Sequence, residues 1–441
     1  MSFQQGLSGL NATSKNLDII GNNIANANTY GAKTSRGEFA DVYAASLSGT
    51  SATNIGTGVN LAAVSQQFSQ GSISTTSNSL DLAISGSGFF QVTDGQNPTV
   101  YSRNGQFKID KDGFIINNQN LKLIGYEADG QGVIQPGRAK PLQLPTAGIA
   151  PKSTERMTIE LNLDSRVAAT QQDPSLPAID FSNPDTYNNS TSVTVFDAKG
   201  QDVALTYYFQ KAATVTDTTT TPPTVSNADT WNVFITANGE PLSGTTAAPS
   251  ASLQIAFAEN GGSPGFTPAA VPPALFPVID IPASTNDAGA ATLPITGVSL
   301  GFSGMTQYGA KFGVTDITQD GYAPGQLSGI SIEPNGIVLA RYSNGQSKPG
   351  GQIEMANFRN PQGLAPQGGN TWTRSVTSGD PLVGVPGDGS MGGLRAGALE
   401  ESNVDLTAEL VNMITSQRVY QANAQTIKTQ DQVLQTLVNL K

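Results

Sequence analysis

The C-terminal stretch of the chain carries the most regular pattern of apolar positions. Apolar residues recur there at alternating steps of four and three, and only Gln417 and Asp431 interrupt the row. This is the spacing of a coiled-coil seam, and neither Gly nor Pro falls inside it. The pattern predicts a long helix within 401–441, with Ser402 or Asn403 as its N-cap. The predicted seam comprises Leu406, Leu410, Met413, Tyr420, Ile427, Leu434 and Val438.

The same spacing recurs at the N-terminus. Gly6 and Gly9 lower the helix propensity of this stretch, so a helix here needs a partner. We predict that 1–30 and 401–441 form one inner domain of paired helices. Two interpretations of the apolar rows stay open: a seam for assembly with other copies, or two helices packed on a globular core. The N-terminal seam positions are Phe3, Leu7, Leu10, Leu17 and Ile24.

The other side of the C-terminal helix is polar but uncharged, where a solvated helix usually carries Lys and Glu. Such a side suits repeated packing against copies of the same helix, or a water-filled channel. It comprises Asn412, Thr415, Ser416, Asn423, Thr426, Thr429, Gln432 and Thr436.

Between the helices, alternation of apolar and polar residues predicts a β-rich chain. Residues 107–116 and 330–339 share one order of alternating apolar residues, an acid and a turn with Gly. An Asn-Gly pair at 104–105 predicts a further hairpin. Similar β segments on both sides of a long insertion indicate one β domain that the chain leaves and re-enters. The predicted split domain comprises 71–147 and 306–400.

The insertion, 148–305, has strand-like runs separated by Thr-, Pro- and Gly-rich loops, which predicts an antiparallel sandwich or barrel. A connecting segment, 31–70, contains a Ser/Thr/Gly-rich linker at 46–58. The predicted fold class is therefore multidomain and mainly β, with paired terminal helices, a split β domain and an inserted outer β domain. The strand-like runs of the insertion are 158–163, 192–196, 204–209, 231–236 and 253–257.

Composition narrows the classes of function. The chain has 441 residues and a formal net charge of −11, and it contains neither Cys nor His. Disulfides, Cys/His zinc sites, thiol nucleophiles and Ser-His-Asp catalysis are thereby excluded. The acidic balance argues against nucleic acid, and no apolar run approaches the roughly 18 residues of a membrane span. We predict no catalytic residue, cofactor, metal or membrane insertion; residues 110–113 form a turn and not a calcium loop.

An Asn-rich segment follows the N-terminal helix pattern. Asn side chains bond neighbouring backbone and tolerate left-handed conformations, so the helix is expected to end here. With the string at 7–13, the segment resembles the N-terminal signature of bacterial flagellar axial proteins, the rod, hook and hook-associated subunits. Residues 397–406 and 417–421 resemble the matching C-terminal signature, whereas Ala32 stands where many relatives carry an aromatic residue. The motif positions are Asn22, Asn23, Ile24, Ala25, Asn26, Asn28, Thr29 and Gly31.

The resemblance implies a structural protein and not an enzyme. Within the family, the long insertion resembles that of hook subunits, which implies a curved tubular joint that passes motor torque to the filament. A distal rod subunit is the alternative, and a β-rich extracellular enzyme or binding protein is a more distant one.

The resemblance also implies where the chain works and what it meets. It implies a homopolymer that contacts rod proteins, hook-associated junction proteins and the hook cap. It further implies an extracellular location reached through the flagellar type III export apparatus. The N-terminus lacks the basic and apolar regions of a cleavable signal peptide, which agrees with such a route.

Overall fold

The structure is a computed structural model that describes residues 2–42, 56–170, 178–217, 224–226, 229–262, 264–267, 276–286 and 288–439. The chain divides into two compact units. The first unit comprises Met1–Thr146, Ser328–Arg341 and Ser347–Lys441, and the second comprises Ala147–Leu327 and Tyr342–Gln346. Most of the linker predicted at 46–58 lies outside the described residues.

The helices are α1, Ser2–Ala25, and α2, Leu406–Asn439. Short 3₁₀ turns occur at Pro184–Thr186 and Pro361–Gly363. The strands of the first part of the chain are β1 Ser35–Val42, β2 Gly58–Gln66, β3 Ile73–Thr75, β4 Leu82–Ser85, β5 Phe89–Thr93, β6 Val100–Ser102, β7 Lys108–Ile109, β8 Ile115–Ile116, β9 Lys122–Glu127 and β10 Lys140–Pro141. They continue as β11 Arg156–Asn162, β12 Asn189–Phe196, β13 Asp202–Lys211, β14 Val215–Asp217, β15 Thr224–Ser226, β16 Thr230–Ala237, β17 Glu240–Pro241, β18 Gly244–Thr245, β19 Ala248–Pro249, β20 Leu253–Ala256, β21 Gly265–Thr267, β22 Val278–Ile281, β23 Ile295–Gly301 and β24 Gly313–Gln319. The chain ends with β25 Leu327–Ile332, β26 Ile337–Tyr342, β27 Ser347–Ile353, β28 Met355–Asn357, β29 Ala365–Gly368, β30 Thr371–Thr373, β31 Leu382–Gly384, β32 Gly393–Ala396 and β33 Ala398–Glu400.

The N-cap of α2 is Asp405 and not Ser402 or Asn403. The Asp405 carboxylate accepts hydrogen bonds from the backbone N–H groups of Thr407, at 2.9 Å, and Ala408, at 3.1 Å. A carboxylate at this end also interacts favourably with the positive pole of the helix dipole. The prediction of the cap was wrong because Asn403 is engaged elsewhere, in the junction described below.

The main sheet of the first unit interleaves strands from before and after the insertion. Strand β5 pairs with β6 and β9, which precede the insertion, and with β28, which follows it. Strand β27 in turn pairs with β9. This arrangement confirms that the chain leaves one β domain and re-enters it, while the bounds given above stay a prediction. Its core includes the buried side chains of Leu82, Ile84, Phe90, Leu123, Leu142, Val338, Ile353 and Met355.

The predicted hairpins of the split domain had different outcomes. Strands β7 and β8 pair around the turn that Gly113 N–H closes on Asp110 O at 3.1 Å, which confirms that hairpin. The hairpin predicted at 104–105 was wrong. There the chain follows Ser102 with Arg103, which is directed into a buried ion cluster, and Gly105 O accepts instead from Leu82 N–H at 2.9 Å.

The second unit is a sandwich of two sheets. Strands β22, β23, β11 and β24 form one sheet, and β12, β13, β16, β20 and β21 form the other. Side chains of both sheets fill one core, so each sheet covers the apolar face of the other. One detail departs from the antiparallel prediction, because β11 and β23 pair in parallel. The core includes Met157, Leu161, Tyr207, Phe209, Trp231, Ile255, Leu300 and Phe302, each at most 2% exposed.

The chain enters and leaves the second unit at neighbouring points. Ile149 N–H donates to Gly325 O at 2.8 Å, and Gly325 N–H donates back to Ile149 O at 3.2 Å. Lys152 and Tyr322 form a second bridge of the same kind. An insertion whose ends meet in this way can be removed without stretching the host domain.

We predict that a variant in which two glycines replace 150–324 retains a folded first unit. Ile149 and Gly325 already form an antiparallel pair, so a two-residue hairpin loop can connect them directly. The deletion removes Trp231, so the fluorescence of Trp372, which is 2% exposed, reports on the first unit alone. We expect one cooperative unfolding transition with Trp372 shielded at low temperature. Fluorescence of a solvated indole throughout would show that the first unit depends on the second.

Candidate assembly surface and its anchoring junction

The two terminal helices pack against each other in antiparallel directions. Asn23 Nδ2 donates to Glu409 Oε1 at 3.3 Å, and Asn16 Nδ2 donates to Ser416 Oγ at 3.0 Å. At the far end, Gly9 lies against the side chain of Asn423. The pairing of the two termini is confirmed, but polar and small residues line much of the contact. Ser416 and Asn423, predicted on the outward polar side, face α1 instead.

Many predicted seam residues do not pack in this contact. The exposed ones are Phe3, Leu7, Leu406, Leu410, Tyr420 and Leu434, with 38% to 53% of their surface accessible. The half-buried ones are Leu10, Leu17, Ile24, Met413 and Ile427, and Ile427 lies against Gly6. The side chain of Val438 lies outside the described part of the structure. The role of these residues in assembly stays a prediction.

Sequence analysis missed further exposed apolar residues on α2. They are Val411, Ile414, Val419 and Val433, and they lie off the four-and-three spacing. A wider count of apolar positions around the helix would have found them. We call these four, together with Leu406, Leu410, Tyr420 and Leu434, the exposed apolar residues of α2.

A hairpin of β1 and β2 packs along α1. Ser8 Oγ donates to Val59 O at 2.8 Å and accepts from Val59 N–H at 2.7 Å. Gln5 Nε2 donates to Gly56 O at 2.7 Å. The hairpin leaves Phe39 and Val64 exposed, at 40% and 50%. It therefore extends the apolar surface of the helix pair.

The base of the helix pair is fixed by a buried ion cluster. Lys33 Nζ lies 2.6 Å from Glu400 Oε1, and Arg103 Nη1 lies 3.2 Å from Glu400 Oε2. The side chains of Lys33 and Glu400 are fully buried, and that of Arg103 is 4% exposed. Lys33 also donates to Ser69 O at 2.8 Å, and Gly71 N–H donates to Glu400 Oε1 at 3.1 Å. One carboxylate thus joins four distant parts of the chain.

Asn403 and Asn23 extend this contact with side-chain to backbone bonds. Asn403 Oδ1 accepts from Thr34 N–H at 2.8 Å, while its amide donates to Gln67 O at 2.8 Å. Asn23 donates to Ser35 O at 2.8 Å and accepts from Ser35 N–H at 2.9 Å. Each amide donates through its NH₂ group and accepts through its carbonyl oxygen at the same time. We call Gly31–Lys33, Ser69–Gly71, Arg103 and Glu400–Asn403 the junction.

The positions of the family motif fall into two groups. Asn23 and Gly31 are buried, whereas Asn22, Ala25 and Asn28 are exposed and Ile24, Asn26 and Thr29 are intermediate. Gly31 has a φ of 71°, and a Cβ there would lie 2.5 Å from Asn104 N. Both the left-handed conformation and the close backbone require glycine. Ala32, the next residue in the chain, is also buried, so little of its side chain is accessible to solvent.

Burial controls the charges of the junction. It lowers the pKa of Lys33, although Glu400 opposes this shift, and it lowers the pKa of Arg103 in the same way. The Arg103 guanidinium also lies 5.2 Å from the centre of the Phe89 ring, a cation–π distance. Two cations share one carboxylate, so the cluster carries one net positive charge. Glu400 is therefore its least replaceable member.

Within the described residues, no group of three or more Asp or Glu side chains is arranged to hold a metal ion. The same residues include no helix that is both long and apolar enough to cross a bilayer.

Comparisons with known proteins agree along the length of the chain. Models described as flagella basal body rod protein and flagellar basal body rod FlgEFG protein C-terminal match residues 3–33 and 395–440. Models of the flagellar hook protein FlgE/F/G D1 domain and the flagellar basal body protein FlaE D2 domain match 83–162 and 162–322.

Three relatives are similar over their whole length. The flagellar hook protein FlgE of Salmonella typhimurium is 40% identical over 449 residues, with 100% of both chains covered. That of Escherichia coli K12 is 40% identical over 448 residues, again covering 100% of both. The hook protein FlgE of Borreliella burgdorferi is 32% identical, covering 100% of this chain and 99% of the other.

Rod-type matches at both ends and hook-type matches between them define an axial protein of the bacterial flagellum. Full-length identity at the 40% level settles which one. The chain belongs to the flagellar hook protein FlgE family.

We predict that Glu400→Gln destabilises the first unit far more than Lys33→Met. The first change leaves two buried cations without a counter-charge, which costs roughly 3–5 kcal/mol. The second leaves a neutral Arg103–Glu400 pair and should cost less than half as much. Urea unfolding followed by Trp372 fluorescence, in a Trp231→Phe background, measures both. Equal losses of unfolding free energy, or a larger loss for Lys33→Met, would contradict the conclusion that Glu400 is the least replaceable member of the cluster.

A pH dependence should accompany the Glu400→Gln variant. Without the carboxylate, the pKa of the buried Lys33 falls further below its usual 10.5. The folded state then binds fewer protons than the unfolded state between the two pKa values, so the free energy of unfolding rises with pH there. The stability gap between parent and variant should narrow as the pH rises toward 10.5, the usual pKa of lysine. A gap of constant size would show that lost hydrogen bonds, and not charge, cause the defect.

Proposed function

We propose that this chain is the subunit of the flagellar hook and that it polymerises through its terminal helix pair. The observation that carries the proposal is the exposure of apolar side chains on both helices of a chain whose relatives are hook proteins. Leu410 and Leu434, for example, are 45% and 53% exposed. Burial of such side chains contributes roughly 1.5–3 kcal/mol each when complete, which favours contact with further copies.

The asymmetry of the subunit favours a tube. A surface that meets a different surface on the next copy gives a heterologous contact, and such contacts continue into helical assemblies. The helix pair would line the inner wall, where its apolar residues are shielded. The split β domain and the inserted domain would lie further out and meet neighbours through polar contacts. Polar contacts can exchange partners at small cost, so the tube can bend while it rotates and transmits torque.

The long insertion supports a hook subunit over a rod subunit. The second unit has its own core and matches a model of a flagellar D2 domain at 162–322. Its separate core lets it act on the shape of the tube without contributing to the sheet of the first unit. We propose that it tunes curvature, and that a tube assembled without it is straighter.

We further propose an extracellular position, in line with a component of the flagellar hook and basal body. Rod proteins at one end, and hook-associated junction proteins and the hook cap at the other, would be its neighbours. Export in unfolded form through the flagellar apparatus fits a first unit whose strands come from both ends of the chain, because such a domain folds only after the late strands are delivered.

We predict that Leu434→Asp blocks tube growth and leaves the monomer stable. Leu434 is 53% exposed in the subunit, so the charge stays solvated until assembly buries it. The melting temperature should change by less than about 3 °C, since the two β cores carry the stability of the monomer. Sedimentation after seeded assembly should show at least a tenfold loss of tubes.

The matched control is Gln432→Ala, an exposed position on the same helix turn that lies outside the predicted seam. It should sediment like the parent. A large drop in the melting temperature of Leu434→Asp would place this residue in a core of the monomer. Normal growth of Leu434→Asp would remove Leu434 from the assembly surface.

A further inference from the structure

The contact between α1 and α2 repeats every seven residues on both helices. Asn23 meets Glu409, Asn16 meets Ser416, and Gly9 meets Asn423. Seven residues are nearly two full turns, so the three layers lie along one line of each helix. We call these three layers the polar ladder.

The middle layer of the ladder is buried and specific. Ser416 is 7% exposed, although most of α2 around it is open. The hydrogen bond from Asn16 gives this buried hydroxyl a partner, and a buried polar group without one is destabilising. An apolar helix in the place of α1 would leave the Ser416 hydroxyl buried without a hydrogen-bond partner.

The outer layers restrict the partner in other ways. A Cβ at Gly9 would lie 2.9 Å from Asn423 Nδ2, so a larger residue opposite Asn423 would displace the Asn423 side chain from its present position. A shift of one heptad in one direction would bring Asn16 to that place, and a shift in the other would leave Asn23 beyond the start of α2. Asn23 itself is held by its two bonds to Ser35. The ladder is thus complete in one register only.

We propose that the polar ladder selects α1, and not a second α2, as the partner of α2, while the junction ties that α1 to the same chain. The exposed apolar residues of α2 are thereby reserved for other copies. This inference rests on the proposed function, because a competing helix is abundant only in a tube. A polar residue inside a helix contact commonly fixes register and partner at some cost in stability. Here the discrimination comes from hydrogen bonds and a glycine, while the apolar residues supply adhesion to any helix that reaches them.

The absence of Cys from the sequence allows a direct test. Gly6 and Ile427 lie against each other beyond the last layer of the ladder, so Gly6→Cys with Ile427→Cys reports whether the far ends are paired. An added oxidant such as diamide takes up the two electrons released when the two thiols join as a disulfide. Non-reducing electrophoresis then separates closure within a chain from links between chains.

In dilute monomer, we expect Asn16→Ala with Ser416→Ala to slow closure within the chain about tenfold. This factor corresponds to about 1.4 kcal/mol, within the range of one hydrogen bond to a buried partner. In tubes, the same variant should gain links between chains that the parent ladder lacks. The matched control is Asn412→Ala with Gln421→Ala, two exposed positions outside the ladder, which should behave as the parent in both assays.

A second variant, Asn16→Leu with Ser416→Leu, restores packing volume without the hydrogen bond. It should keep the melting temperature of the parent and still form links between chains in tubes. Unchanged closure rates and unchanged link patterns in both variants would overturn the ladder proposal. If the parent chain without cysteines does not sediment as tubes either, the proposed function fails, yet the closure rates in monomer still decide whether the ladder holds the helix pair.

Discussion

The first unit depends on a buried carboxylate that is shared by two cations. Glu400 is inaccessible to solvent, so its charge is stable only while Lys33, Arg103 and the N–H of Gly71 surround it. These partners lie 297 to 367 residues before Glu400 in the chain, and their meeting fixes where α1 ends and where α2 begins. Removing one partner of a buried pair is far costlier than never having formed it, which makes the cluster a strict requirement of the native arrangement. It is a determinant of geometry more than a source of net stability.

The helix pair above this junction has two unlike sides. Toward each other, α1 and α2 use amide, hydroxyl and glycine contacts such as Asn16–Ser416, which are specific and weak. Away from each other they carry apolar side chains, whose burial is strongly favourable and does not depend on the direction or identity of the partner. A monomer with this distribution is held in shape by its β cores and its junction. The free energy of apolar burial on the helices is therefore available to the assembled state.

Periodicity was enough to predict the two helices, their pairing and five strands of the inserted sandwich, and two similar β segments predicted the split β domain. Periodicity missed β22, β23 and β24, which make up most of one sheet of the sandwich. It could not show which side of each helix meets the other, because the exposed Leu410 and the partly buried Met413 follow one spacing rule. Nor could it find the junction. Lys33, Arg103 and Glu400 are ordinary charged residues in the sequence, and their meeting depends on pairings such as β3 with β33. The hairpin predicted at 104–105 was wrong for the same reason, since Arg103 turns toward a partner about 300 residues away.

The chain contains few charged residues, and those of the junction are the ones that fix the base of the helix pair. Only 13% of the residues are charged, and α2 exposes few of them, so the helices cannot choose partners by complementary surface charge. Coiled coils usually do so through charges that flank the seam. In this chain anchoring and partner choice are divided along the helix pair. Buried ions anchor its base, where water is excluded, and neutral hydrogen bonds select the partner further along. Ion pairs on an exposed helix would be screened by salt, whereas a buried cluster and a ladder of amides are much less affected by it.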